Sequence, residues 1–322
     1  MHYAQVQAFG EPPQYLEGPD LPVPAAGQIR VKILAAAVHR LVQMRAAGQH
    51  FTARSTPLDP SADAVGVDEA TGTVYYIPVL SGALFAEYAN IDAAQLVPLP
   101  AGADPVTVAA LANPVSSAWL ALTERVVNVP NNFRVLILGV TGTSGRAAIR
   151  VARHFGAATV IGAARNEAAL QRLQADKANG IDEYVVLRSP VADTAAAFAA
   201  LGHVDVVLDY VYGAAAATLL DNLQTGAEQE TQYVNIGTIA NDETLPLRAQ
   251  TLRSKRLRLT GSAPGAWSVA AMARQVKGIV EMAATLPKPE DVVPYPLADV
   301  TKVWNTDEAR KKRLVLLPWG SA

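Results

Sequence analysis

The chain has 322 residues, 50% of them hydrophobic, and its 27 basic and 29 acidic side chains leave a net charge of −2. That is enough apolar chain for two core-bearing domains or one large one. Lys and Arg are scattered, so there is no basic stripe for nucleic acid or an anionic membrane, and no cysteine is available for disulfides, thiolate chemistry or thiolate zinc sites.

The opening MHYAQVQAFGEPPQ has neither a basic n-region nor an apolar h-region. It does not read as a secretion signal, which makes the cytoplasm the expected compartment. The first hundred residues then read as short strands (YAQVQAF, IRVKILAAAV, TGTVYYIPV, ALFAEYANI, QLVPLP) broken by Pro and Gly turns, a mostly β domain. Tyr75 and Tyr76 fall on one of these strands, one ring inward and one outward, and are left out of the mechanism. The uncharged stretch from Pro105 to Thr123 carries Asn113, Pro114, Ser116 and Ser117 at its centre. A membrane span would strand those groups in lipid, so a buried helix pair is expected.

From about Pro105 apolar strands alternate with helical stretches. RVLILGV (134–140), ATVIGAA (158–164), EYVVL (183–187), VDVVLDY (204–210), QYVNIGT (232–238) and RLRLTG (256–261) supply six strands. Helices are expected over Ser144–Phe155, Asn166–Lys177, Val191–Leu201, Ala214–Leu223 and Ala266–Ala284, the first two opening on capping residues. Six strands in βαβ alternation predict a doubly wound parallel sheet of the Rossmann type. The segment VVPYPLADVTKVWNTDEARKKRLVLLP reads as strand, helix and strand returning to the amino-terminal domain, with Glu308 to Arg313 as a solvated helix end.

Gly139-Val140-Thr141-Gly142-Thr143-Ser144-Gly145 lies between the first of these strands and the run RAAIRVARHF. Glycines there let backbone amides approach a pyrophosphate and let the helix pack on the strand. The spacing is G-x-x-G-x-x-G rather than G-x-G-x-x-G, so the motif draws its weight from the six-strand context. At the end of the second strand, where an acidic residue would hold the ribose of NAD, stand Arg165 and Asn166. A guanidinium fork suits a 2′-phosphate, which favours NADPH. A surface arginine with no ligand is the competing reading, and Glu167 is explained by the helix dipole.

At this point FGEPPQYLEGPDLPVPAAGQIRVKILAAAV, GALFAEYANIDAAQLVPLP, LANPVSSAWLALTER, LGVTGTSGRAAIRVARHFGA, VDVVLDYVYG, VNIGT, LRLTGSAPG and PLADVTKVWN, in that order, resemble the zinc-independent quinone oxidoreductase and enone reductase branch of the medium-chain dehydrogenase/reductases. The resemblance implies an α/β chain: a GroES-like mostly β catalytic domain over 1–118, completed by 288–322, and a Rossmann NADPH-binding domain over 119–287, with the active site in the cleft between them. By the same resemblance Gly139, Thr141, Gly142, Thr143, Ser144 and Gly145 wrap the pyrophosphate, and Arg165 with Asn166 meets the adenosine phosphate. Tyr210 and Val211 lie beside the cofactor. Gly237, Thr238, Gly261 and Ser262 border the nicotinamide, and Asn113 sits near it unless it marks only an Asn-Pro helix break. A homodimer joined through an edge strand near Arg256–Gly261 is also implied.

The departures are as informative. The cysteines of zinc-dependent members are missing, and no metal site is expected. His39 stands where relatives often carry an active-site Asn, and Val42 where they carry Asp. The segment Thr56–Val74 is compressed, which predicts a more open pocket. The chemistry expected is hydride transfer from NADPH to a quinone or to the C=C bond of an α,β-unsaturated carbonyl. His39, His50, Tyr88 and Tyr212 are candidate proton donors, His39 first, and Asn113 is a second candidate catalytic residue; His50 and Phe51 are candidates for the substrate pocket. Two other readings stay open: a trans-acting enoyl reductase on carrier- or CoA-bound acyl groups, and a non-catalytic NADPH-binding sensor.

Overall fold

The computed structural model describes residues 1–226 and 228–320. The chain divides into two compact units, Met1–Asn113 with Val276–Ala322, and Pro114–Gln275. In the first unit lie β1 (His2–Gln5), β2 (Gln14–Glu17), β3 (Gln28–Val38), α1 (Arg40–Ala46), β4 (Ala64–Val67), β5 (Val74–Ile77), β6 (Tyr88–Asp92) and β7 (Val97–Pro98). The division falls inside α2 (Pro105–Leu120). The second unit holds β8 (Arg134–Leu138), α3 (Thr143–His154), β9 (Thr159–Ala164), α4 (Glu167–Ala175), β10 (Glu183–Val186), α5 (Ala195–Ala200), β11 (Val206–Asp209), α6 (Gly213–Asn222), β12 (Thr231–Asn235), α7 (Ala249–Ser254) and β13 (Leu257–Gly261). The chain leaves it within α8 (Val269–Thr285) and ends in the first unit with β14 (Val292–Pro296), α9 (Val300–Val303), α10 (Asp307–Lys311) and β15 (Arg313–Leu317).

The first unit is built on β3. Along it Val31 and Ile33 are buried while the flanking Arg30 and Lys32 are only part-buried, the alternation of a strand with one wet face. β3 pairs antiparallel with β4, β6 and β15, so the carboxy-terminal segment completes a sheet in the order β14-β15-β3-β4-β5-β7. Val31, Ile33, Ile77, Phe85, Ile91, Leu314 and Leu316 form its core.

The second unit is a six-stranded parallel sheet in the order β10-β9-β8-β11-β12-β13. This is the doubly wound order in which the first and fourth strands are neighbours, here β8 and β11. Val206 to Asp209 are all fully buried, as expected for a strand covered on both faces.

Three expectations are corrected. Pro105 to Thr123 is not a helix pair but one helix that runs through Pro114 into a π turn at Ala121–Arg125. Val108 to Ala112, Val115 and Ala118 are buried along it, and that burial outweighs the roughly 3 kcal/mol cost of an interior proline. Its length and composition would suffice to cross a membrane, yet 72% of its most apolar window is buried within the protein. Ser144 does not cap α3; Gly142 occupies the cap without a side-chain bond, whereas Asn166 does cap α4, accepting from the Ala169 amide at 3.0 Å. Arg313 is not solvated: it opens β15 opposite Val292, with Nε and Nη1 buried.

α3 sits close against β8 because Gly145 has no side chain: a Cβ there would lie 2.4 Å from the Gly139 carbonyl oxygen and 2.6 Å from Val140 Cα. Gly142 has its nearest neighbour at 3.5 Å. Gly145→Ala is therefore expected to destabilise the protein by about 1–3 kcal/mol, and Gly142→Ala by less than about 1 kcal/mol. Urea denaturation midpoints of the two variants check the contrast.

Candidate functional site

The carboxyl ends of β8 and β11 are where helices leave the sheet on opposite sides, and such a switch point is where open α/β sheets bind ligands. Gly139, at φ +85°, turns the chain out of β8, its amide donating to the Ala163 carbonyl at 2.8 Å. A Cβ on Gly139 would lie 3.2 Å from the Val211 side chain and 3.4 Å from that of Tyr210. The two turns thus meet across the switch point. α3 then begins at Thr143 with no side-chain cap bond from Gly142, and its amino end carries the positive end of the helix dipole. Val140, Thr141, Ser144 and Gly145 belong to this same turn and first helical turn. The small cradle fits a diphosphate and would not accommodate a bulkier residue at 145.

After β11 the geometry is set by a residue to which the sequence reading assigned no role. Asp209 is fully buried, and its carboxylate accepts the amides of Val211 at 2.7 Å and Tyr212 at 3.0 Å together with the Tyr233 hydroxyl. Burial pushes its carboxyl above the usual range, opposed by those hydrogen bonds. Burial, reinforced by the facing carboxylate, also pushes the Tyr233 phenol up. The bonds hold Tyr212 at φ 65°, ψ −165°, a region nearly restricted to glycine and costing a side-chain-bearing residue about 1–3 kcal/mol. Tyr210, buried, exchanges a hydrogen bond with Ser117 at 3.0 Å. An acidic residue closing an apolar strand directly before a turn was the available signal for Asp209.

Gly237 and Thr238 follow β12, the Gly237 amide donating to the Asp209 carbonyl at 3.1 Å. Gly261 ends β13, and the amide of buried Ser262 donates to the Asn235 carbonyl at 2.8 Å. Arg125, another residue without an assigned role, clamps this end: it donates to the carbonyls of Gly261 at 2.8 Å and Ala266 at 2.9 Å. Arg165 lies exposed just past β9, and no hydrogen bond or ion pair engages it among the described residues. Glu167, the nearest acid in sequence, is instead paired with Arg188 beyond β10 at 3.6 Å. All the residues expected to bind cofactor therefore line one edge of one sheet.

The remaining candidates lie in the first unit or at its boundary. His39 is the N-cap of α1, buried, with Nε2 2.9 Å from Asp63 Oδ1. The second Asp63 oxygen accepts the Tyr76 hydroxyl at 2.7 Å. Tyr76 is the inward ring of its pair, as expected, but it is polar-bonded rather than idle. His50 and Phe51 stand side by side with ring centroids 4.4 Å apart, Phe51 being 67% exposed. Burial, then the charge of Arg45, lowers the His50 pKa. Tyr88 is engaged by Glu69 and Trp319, away from His39's network. Asn113 lies within α2 rather than at a helix break.

A parallel sheet in this order, with a glycine turn at its switch point, defines a Rossmann-type unit joined to a β-rich one. Comparison with known proteins agrees. The family model described as zinc-binding dehydrogenase matches residues 145–280. A protein of Emericella nidulans described as "Probable NADPH-dependent quinone reductase tdiC" is 36% identical over 99% of this chain and 100% of its own length. The quinone oxidoreductase of Sus scrofa is 31% identical over 46% of this chain and 47% of its own. The quinone oxidoreductase of Thermus thermophilus, solved also in complex with NADPH, superposes with a TM-score of 0.73 at 24% identity, covering 98% of this chain and 100% of that one. The chain belongs to the quinone oxidoreductase branch of the medium-chain dehydrogenase/reductase superfamily.

Asp209→Ala removes the acceptor of two amides and a hydroxyl. It is expected to destabilise the protein by about 2–4 kcal/mol, measured by urea denaturation, and to release Tyr212 from its strained conformation.

Proposed function

We propose that this protein is an NADPH-dependent oxidoreductase that reduces quinones, or the C=C bond of α,β-unsaturated carbonyl compounds, without a metal. The observation that carries the reading is the glycine-lined switch point of the second unit with Arg165, exposed and unengaged, past its second strand. Support comes from the relative of Emericella nidulans, which spans the whole chain and is described as NADPH-dependent. The partner is a small molecule.

NADPH, when bound, supplies a hydride. The α3 amino end and the Gly139–Gly145 turn would hold its diphosphate, and Arg165, with the free amide of the capping Asn166, its 2′-phosphate. Glu167, in the first turn of α4, is paired with Arg188 at 3.6 Å. Tyr210, Val211, Gly237, Thr238, Gly261 and Ser262 would border the nicotinamide. Asp209 and Arg125 hold these turns rigid, so little reorganisation accompanies binding. His39 gives the proton that completes the reduction, with Asn113 as a second polar group near the acceptor, and His50 and Phe51 shape the acceptor pocket.

A metal-free mechanism is favoured by the donor set: the chain has no cysteine, and no group of three His, Asp or Glu that could hold a metal ion occurs among the described residues. β13 is the edge of its sheet, with Leu257, Leu259 and Thr260 part-exposed. Unpaired edges favour pairing with a second copy, which is the basis for proposing a homodimer.

Two measurements test this reading. Fluorescence titration is expected to show preference for NADPH over NADH, reduced about 10- to 100-fold in Arg165→Ala through loss of a charge-assisted bond, with oxidation of NADPH by 1,4-benzoquinone or 2-cyclohexenone. Absence of NADPH binding would overturn it. Light scattering at micromolar concentration is expected to give twice the chain mass of 34.0 kDa, and a single chain mass would refute the dimer.

A further inference from the structure

In the second unit β9 and β10 run parallel and in register, Val185 opposite Ala163 and Val186 opposite Ala164. The Leu187 amide extends the pairing by donating to the Ala164 carbonyl at 2.8 Å. The chain leaves β9 through Arg165 and leaves β10 through Leu187 and Arg188, so two arginines stand at neighbouring exits on one edge of the sheet. Both are exposed. The Arg188 backbone is fixed there, its amide donating to the hydroxyl of buried Thr194 at 2.9 Å. Its guanidinium reaches across to Glu167, two residues past Arg165, at 3.6 Å.

The pair with Glu167 is loose. At 3.6 Å the charges attract without forming a hydrogen bond, and with side chains 57% and 45% exposed such a pair adds little to stability. Glu167 is held by a second influence, the dipole of α4, whose first turn it occupies behind the Asn166 cap. An anion therefore already sits between a guanidinium and a helix start. A phosphate monoester carries more negative charge than a carboxylate and meets a guanidinium fork with two charge-assisted bonds, so it competes well for the same cation.

We propose that Arg188 is a second specificity-determining residue for NADPH, and that Glu167 is an internal anion that holds the Arg188 guanidinium at the sheet edge until a 2′-phosphate takes the place of the carboxylate. This rests on the reading of the chain as an NADPH-dependent reductase with Arg165 at the 2′-phosphate. Arg165 attracts the phosphate from the start. Arg188 joins only when an anion stronger than the Glu167 carboxylate draws it away. The uncharged 2′-hydroxyl of NADH does not do so, and with that cofactor Arg188 stays on Glu167 and contributes nothing.

Titration calorimetry with 2′,5′-ADP, 5′-AMP, NADPH and NADH reads this edge without turnover. Arg188→Ala should weaken 2′,5′-ADP and NADPH about tenfold and leave 5′-AMP and NADH as they are in the wild type. Arg188→Lys, which keeps the charge but loses the fork, should recover part of that loss. Glu167→Gln should tighten 2′,5′-ADP and NADPH about two- to fivefold, with NADH unmoved, because the competing carboxylate is gone. Undiminished NADPH affinity in Arg188→Ala, or equal losses for NADPH and NADH, would overturn the role of Arg188. NADPH affinity unchanged or weakened in Glu167→Gln would overturn the exchange. If only Arg165→Ala loses the preference for NADPH, the underlying reading stands and this inference fails; a wild-type protein that binds neither NADPH nor 2′,5′-ADP defeats the underlying reading itself.

Discussion

The absence of a side chain at Gly145 sets the distance between α3 and the turn after β8, and the rest of the second unit is arranged around that distance. With the helix start held against the Gly139 carbonyl, its amide groups open at the carboxyl end of the central strand. There the turn after β11 approaches within van der Waals reach through Tyr210 and Val211. A helix dipole loses its effect beyond the first turn, so the placement of this one turn decides whether the sheet edge attracts an anion.

Around it the chain accepts unfavourable local terms. Tyr212 adopts a backbone conformation that its side chain disfavours, and Asp209 keeps a carboxylate in the interior. Each is tolerable because of the other: the bent backbone aims two amides at the carboxylate, and the carboxylate satisfies amides that the bend would otherwise strand. The first unit repeats the logic with different groups. Asp63 is buried yet matched by Tyr76 and His39. In both units a buried carboxylate is held by partners whose own burial makes their geometry rigid.

Much of this was legible in the residues. The six parallel strands were readable because apolar runs of strand length alternate with amphipathic helical stretches, and the glycine turn because Gly139 takes a positive φ and Gly145 meets the Gly139 carbonyl with no room for a Cβ. Arg165 could be placed because its position relative to the second strand follows from chain distance alone. Asp209 was in view, within VDVVLDY, but its partner Tyr233 lies 24 residues away on the next strand. Asp63, Tyr76 and Arg313 were harder still. An acid in the run SADAVG, a tyrosine on a strand and an arginine closing a charged segment each have ordinary surface or core explanations when read singly.

The sequence by itself determined the elements, the order of the βαβ units, the phosphate-type turn and the lack of thiolate chemistry, since each depends on neighbours a few residues apart or on composition. Only the tertiary structure decided that Pro114 stays inside a continuous helix, that Arg313 is buried, and that His39, Asp63 and Tyr76 share one network. Those outcomes depend on which side chains meet after β3 pairs with strands from both ends of the chain. The free energy of burying a polar group is set by partners that chain order alone does not name.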